Sequence, residues 1–184
     1  MQELWIGIEQ SLSTLGCLDR MHLRPGATAE AIAELEWHVG VRLADGLKAF
    51  LAVHDGQDGH VGLVEGALLL SVEEIRREWD VWRSIDEDEM NADCADFMAS
   101  HPEGYVKPLY TNRLWIPLTK DFGGNHIGLD YDPDAKGTVG QVIRFGRDED
   151  TKRVIADSFE SFVALLVAAA ASAHWNGEYL ELAI

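Results

Sequence analysis

Apolar residues in the first third of the chain fall at helical steps. Trp5, Ile8, Leu12 and Leu15 recur every three or four positions, a single stripe that ends near Gly16. After Pro25-Gly26, Thr28 is placed to cap a helix carrying Ile32, Leu35 and Val39 inward, with Gly40 as its stop. A third helix is predicted over 45–54, with Leu47, Phe50 and Leu51 inward, before a turn bracketed by Gly56 and Gly59. Apolar runs at 61–64 and 67–70 around Glu65-Gly66 predict a hairpin. Ser71 and Glu74 have capping-box spacing and start a helix through Ile75, Trp79 and Trp82.

Periodicity is lost over 86–96 and changes character beyond it. Segments 114–119, 126–131, 139–145 and 153–156 are short, β-rich and separated by Gly, Asp, Pro and Lys, which predicts strands. Asp157 and Glu160 again have capping-box spacing, here for a last helix through Phe159, Phe162, Leu166 and Ala170. No repeat or linker divides the chain, so 1–184 is expected to be one domain. Helices at both ends of a central meander predict an α+β fold, with a mostly antiparallel sheet flanked by N-terminal, middle and C-terminal helices.

Charge narrows the partners. Fifteen Lys and Arg face thirty-two Asp and Glu, giving a formal charge of −17. Such a surface repels nucleic acid and anionic membranes and attracts basic partners within a Debye length, about 8–10 Å at physiological salt. Generic solubility explains the same composition. Asp86, Glu87, Asp88, Glu89, Asp93 and Asp96 form a run of acids with no base among them, the pattern of a solvated helix face or a loop. Cys17 and Cys94 lack metal spacing and are expected as free thiols. The N-terminus has no basic, apolar leader pattern, and no apolar run has the ~18–20 residues of a membrane span, so a cytoplasmic protein is expected.

The segment WIPLTKDFGGNHIGLDYDPDAKGTVGQVIRF, residues 115–145, is the most specific. Trp115 is large enough to anchor a sheet against a helix. Gly123 and Gly124 lie between strands, where a tight turn needs positive φ. Pro133 sets φ in a second turn that Gly137 completes, and Gly140 within an apparent strand suggests a bulge. Asp130, Asp132 and Asp134 alternate as in a calcium loop, but Ala135 and Gln141 stand where such a loop wants Gly and Glu. His22, His38, His54, His60, His101, His126 and His174 show no zinc spacing, and His54-Asp55 has no nucleophile elbow to serve. No metal, cofactor or catalytic residue is expected.

Together Trp115, Pro117, Asp121, Gly123, Gly124, Asp130, Asp132, Pro133, Gly137, Gly140, Gln141 and Val142 resemble the core motif of the SUKH superfamily, which includes the Smi/Knr cell-wall-assembly regulators. Residues 23–57 resemble the family's opening helical pair and 158–162 its last helix, so the likeness runs from about 22 to about 168. The resemblance implies a protein that binds another protein rather than an enzyme. The reading it puts first is an immunity protein that occludes a basic toxin domain, many such toxins being nucleases. A regulatory or scaffold module like the wall-assembly proteins is the alternative, and a small-ligand-binding regulator a third. Two acidic surfaces are candidates for the partner: Asp86–Asp96, preferred because no folding duty is evident in it, and the set Asp121, Asp130, Asp132 and Asp134.

Overall fold

The computed structural model describes residues 1–184. Helices α1 (Gln2–Thr14), α2 (Ala29–Val39) and α3 (Asp45–Leu51) precede the short strand β1 (Leu68–Leu69), with a 3₁₀ turn at Leu18–Met21. Helices α4 (Val72–Arg83) and α5 (Glu87–Cys94) follow, then β2 (Ala99–His101), β3 (Trp115–Pro117), β4 (Thr119–Lys120), β5 (Asn125–Asp130), β6 (Gln141–Gly146) and β7 (Thr151–Ala156). Helix α6 (Phe159–Ser172) and the small strands β8 (His174–Trp175) and β9 (Leu180–Glu181) complete the chain.

The central sheet has the order β2-β7-β6-β5-β3 and is antiparallel except where β2 runs parallel to β7. This is the α+β architecture expected. β1 pairs with β4 and β8 with β9, outside that sheet. Pro117 ends β3, an edge strand, where a missing N–H breaks no ladder.

Local chemistry fixes several helix ends. The Thr28 hydroxyl accepts from the Ala31 N–H at 3.2 Å, and Gly40 closes α2 with φ 73°. Both halves of the capping box at Ser71 and Glu74 are formed, and Asp55 Oδ1 accepts from the Val72 N–H at 2.7 Å. α6 corrects an expectation: Ser158, not Asp157, is its cap, accepting from the Ser161 N–H. A carboxylate at Asp157 lies one residue too early to reach that donor.

Other boundaries also moved. α3 stops at Leu51 rather than His54. The predicted hairpin at 61–70 reduces to a two-residue turn at Glu65-Gly66, both with positive φ, bridging Val64 and Ala67. The following residues pair with β4 instead, a long-range partner that the local pattern does not disclose. β6 begins at Gln141, so Gly140 lies in the turn before it with φ 86°, and the bulge falls between Val142 and Ile143.

One large core joins α1, α2, α3, α4 and α6 to one face of the sheet through Ile116, Ile127, Leu129 and Val142. Phe159, Phe162 and Leu166 of α6 fill its centre, and Trp5 stacks on Phe50 while donating Nε1–H to its carbonyl at 3.2 Å. A smaller cluster of Val106, Trp115, Ile143 and Phe145 occupies the other face. Trp115 therefore anchors that second face.

Candidate functional site

Trp115 at the start of β3, Asp130 at the end of β5 and Gln141 at the start of β6 meet at one end of the sheet, while Asp121, Gly123 and Gly124 lie in the turn at the other end of β5. Asp130 is fully buried and accepts from Trp115 Nε1 at 3.1 Å, Gln141 Nε2 at 2.9 Å and the Asp132 N–H at 2.9 Å. Burial pushes its carboxyl up to about 6, against the pull of those donors. Gln141 also donates to the Tyr105 carbonyl, which lies 2.1 Å from where a Cβ on Gly137 would sit. Gly137 is thus required by close approach rather than by turn geometry. Gly140 donates its N–H to the Asp130 carbonyl at 2.7 Å, completing the knot.

Burial takes Asp130 off any partner surface, a correction to its place among the binding candidates. Asp132 is half-buried and held by Lys107 and Asn112; burial raises its carboxyl, but those donors outweigh it and hold it below the usual range. Asp134 accepts from the Ala135 N–H in the turn after Pro133. The three aspartates point to separate partners, and no group of three His, Cys, Asp or Glu side chains gathers as a metal site would need.

The β4–β5 turn is organised by Asp121, which accepts from the Gly123 N–H, the Asn125 N–H and Asn125 Nδ2 at 2.7–2.9 Å. Burial raises this carboxyl too, yet the N–H donors prevail and its net shift is downward. Gly124 has φ 89°, as expected; Gly123 does not share it, so only one of the pair needs glycine's left-handed freedom. Between them the turn lifts Phe122 into solvent, 81% exposed.

Phe122 stands between two adjoining clefts. One, of about 350 Å³, has Val81, Trp82, Ile85 and Tyr110 among its walls. The other, of about 540 Å³, is lined by Leu68, Leu70 and Arg77 and shares Glu78, Val81 and Lys120 with the first. Beneath them Trp82 Nε1 donates to His126 Nε2 at 2.9 Å, and since Trp only donates, His126 is neutral with its proton on Nδ1 toward the Thr119 carbonyl. Burial depresses the basicity of that imidazole. Sequence reasoning missed Phe122 and Val81; an apolar residue between the turn formers Asp121 and Gly123 was the available signal.

The acidic run 86–96 becomes α5 and has structural duties. Asp86 caps the helix through the Glu89 N–H, and Glu87 pairs with Arg83 and Arg113. That corrects the premise on which this run was preferred. Asn91 bonds the Thr111 backbone at both its N–H and its carbonyl, fastening α5 to the segment that leads into β3. Asp88, Glu89, Asp93 and Asp96 remain exposed.

A sequence profile of the SMI1 / KNR4 family (SUKH-1) matches residues 26–165. The chain belongs to this family. The match takes in α2 through the first half of α6, so the Asp130 knot and the Phe122 turn both lie inside the family domain. A cell wall biosynthesis/cell cycle regulator of Schizosaccharomyces pombe is 39% identical over 152 residues, 77% of this chain and 30% of that protein. A glucan synthesis regulatory protein of Neurospora crassa is 29% identical over 83% of this chain and 35% of its own length. A cell wall assembly regulator of Saccharomyces cerevisiae is 29% identical over 74% of this chain and 34% of its own length. The chain spans about a third of the length of these curated relatives. Their names favour the regulatory reading of the family resemblance over the immunity reading.

Proposed function

We propose that this chain is a non-catalytic regulatory domain that acts by binding a protein partner, in the manner of the cell-wall and glucan-synthesis regulators to which it is similar. The observation that carries the reading is the family match, with its run of relatives named as regulators. The state of the motif supports it. Asp121, Asp130, Asp132 and Gln141 are engaged in internal hydrogen bonds that shape two turns at opposite ends of β5, which leaves the motif an architectural role, with the exposed Phe122 carried on the Asp121 turn.

The test exchanges the matched segment of the Saccharomyces cerevisiae regulator for this chain, in cells lacking their own copy. Restored growth on a glucan-binding dye is the expected result. A chimera that is expressed and folded but gives no rescue overturns the regulatory reading. Protection of bacteria from a co-expressed toxin, with no rescue in yeast, would reinstate the immunity reading.

A further inference from the structure

The two clefts beside Phe122 form a continuous groove between α4 and the β4–β5 turn, with Phe122 and Val81 (59% exposed) as its apolar prominences. Its charge surroundings are uneven. Within the groove Lys120 is engaged by Glu78 at 2.6 Å, so that pair is internally neutral, and Arg147 is the other basic side chain on the first cleft.

Beyond the Tyr110 end the balance is acidic. The Ala99 N–H donates to the Asp150 carbonyl at 2.9 Å, and the pairing of β2 with β7 continues from there. That contact brings the end of the α5 region beside the β6–β7 turn, joining two acidic stretches that lie far apart in sequence. The Asp148 carboxylate lies beside Gly123 on the groove's own rim, 3.4 Å from Asn125 Nδ2. The ion pairs nearby use Glu87, with Arg83 and Arg113, and Glu78, with Lys120. Asp93, Asp96, Asp148 and Asp150 are exposed and form no ion pair, Asp150 acting only at longer range on the buried Lys152, and Phe97 beside Asp96 is exposed as well. Apolar contacts in such a groove supply most of the affinity, while unpaired rim charges select the sign of the partner and speed its encounter.

We propose that this groove docks a short segment of a partner protein in which lysine or arginine neighbours large apolar side chains. The apolar side chains seat against Phe122, Val81 and Tyr110, and the basic groups face Asp148, Asp150 and the exposed acids of the α5 region. The inference rests on the partner-binding reading and specifies its surface.

A random peptide library displayed on phage, panned against the purified full chain, tests it. Enriched peptides are synthesised and their affinities measured at low and high salt for the wild type, Phe122→Ala, Val81→Asp, the Asp148→Asn/Asp150→Asn pair, and Trp37→Ala. Trp37, 85% exposed on α2 and not part of the walls of either cleft, serves as the control. Thermal melts confirm that each variant is folded. Enriched peptides should be basic and apolar, lose about tenfold or more in affinity to Phe122→Ala and Val81→Asp, and bind Trp37→Ala unchanged. The Asp148→Asn/Asp150→Asn variant should weaken binding at low salt and match the wild type at high salt. Peptides that are neutral or acidic, or that bind Phe122→Ala as tightly as the wild type, overturn the groove while leaving the partner-binding reading in place. An absence of enrichment also counts against the groove; the yeast exchange decides the regulatory reading separately.

Discussion

On one face of the central sheet Ile116, Ile127, Leu129 and Val142 meet Phe159, Phe162 and Leu166. On the other, Trp115, Ile143 and Phe145 share the interior with His126, Asp130, Gln141 and Lys152. The first face is held by transfer of apolar surface from water, and its energy is large, non-directional and insensitive to pH. The second depends on satisfied polar groups: every buried side-chain nitrogen and oxygen in the molecule has a hydrogen-bond partner. The apolar face thus supplies stability, while the polar face sets the shape of the turns that carry Phe122 and the Asp132 loop. Phe162→Ala tests the first half of that contrast and should give the largest effect. Removing the ring leaves a cavity at the centre of the core, with a loss of about 3–5 kcal/mol in chemical denaturation and no change in its pH dependence.

The polar face should instead reveal itself through pH. Asp130 titrates near 6 in the folded state, against 3.8 in its ordinary environment. The folded state therefore binds the proton more tightly than the unfolded state, and this group's contribution to stability falls as pH rises from about 4 to about 6. His126 has the opposite sign in an overlapping range, because its folded form resists protonation and stability is lost as pH falls through its ordinary titration. Comparing the wild type with Asp130→Asn cancels the His126 contribution. Between pH 4 and 7 the wild type should lose on the order of 2–3 kcal/mol relative to the variant. Parallel curves for the two proteins would place Asp130 in a far wetter setting than its burial indicates.

Lys152 sharpens the same contrast at alkaline pH. It is fully buried, donates to the Glu149 carbonyl, and lies 5.9 Å from the ring centres of both Tyr110 and Trp115. Burial lowers its pKa to about 8, with Asp150 and Glu149 partly offsetting that shift. A depressed lysine is charged against an energetic cost at neutral pH, and stability rises as pH climbs from about 8 toward 10.5. Lys152→Met keeps the apolar stem and removes the ammonium. It should raise stability at pH 7 by about 1–3 kcal/mol and abolish the alkaline rise, read by urea denaturation across the pH series.

The two faces were not equally legible in the sequence. Helix stripes such as Ile32, Leu35 and Val39, and Phe159, Phe162 and Leu166, announce the apolar face because 3.6-residue periodicity is a local signal. Family motif residues were recognised without their roles. That Asp130 is a buried acceptor follows from its register opposite Gln141 and its closeness to Trp115, neither of which spacing reveals. Strand β2 was invisible, since three residues with no alternation gain their place only by pairing with β7. Lys152 was missed for a related reason. A lysine between polar neighbours reads as surface until the strand's face is known.

Helix α5 is the margin of the polar face, where the smallest effects are expected. Its acids divide into two sets that the sequence could not separate. Asp86 accepts from the Glu89 N–H at 3.1 Å, so Asp86→Ala removes a cap and leaves an orphan donor, a loss of about 0.5–2 kcal/mol. Asp88 and Glu89 occupy the first turn, where a carboxylate gains slightly from the helix dipole and touches little else. Asp88→Asn with Glu89→Gln should therefore change stability by less than about 0.5 kcal/mol. Since α5 contributes no buried residue to either core, even the Asp86 loss should appear chiefly as faster amide exchange within α5 rather than as a lower global melting point. Hydrogen exchange on the two variants separates the cases. Faster exchange confined to Asp86→Ala would mark the cap as structural and leave Asp88 and Glu89 to act on a partner. Equal protection in both would mean that the Asn91–Thr111 bonds and the Glu87 ion pairs hold the helix without the cap, and that Asp86 joins Asp88 and Glu89 as available for binding.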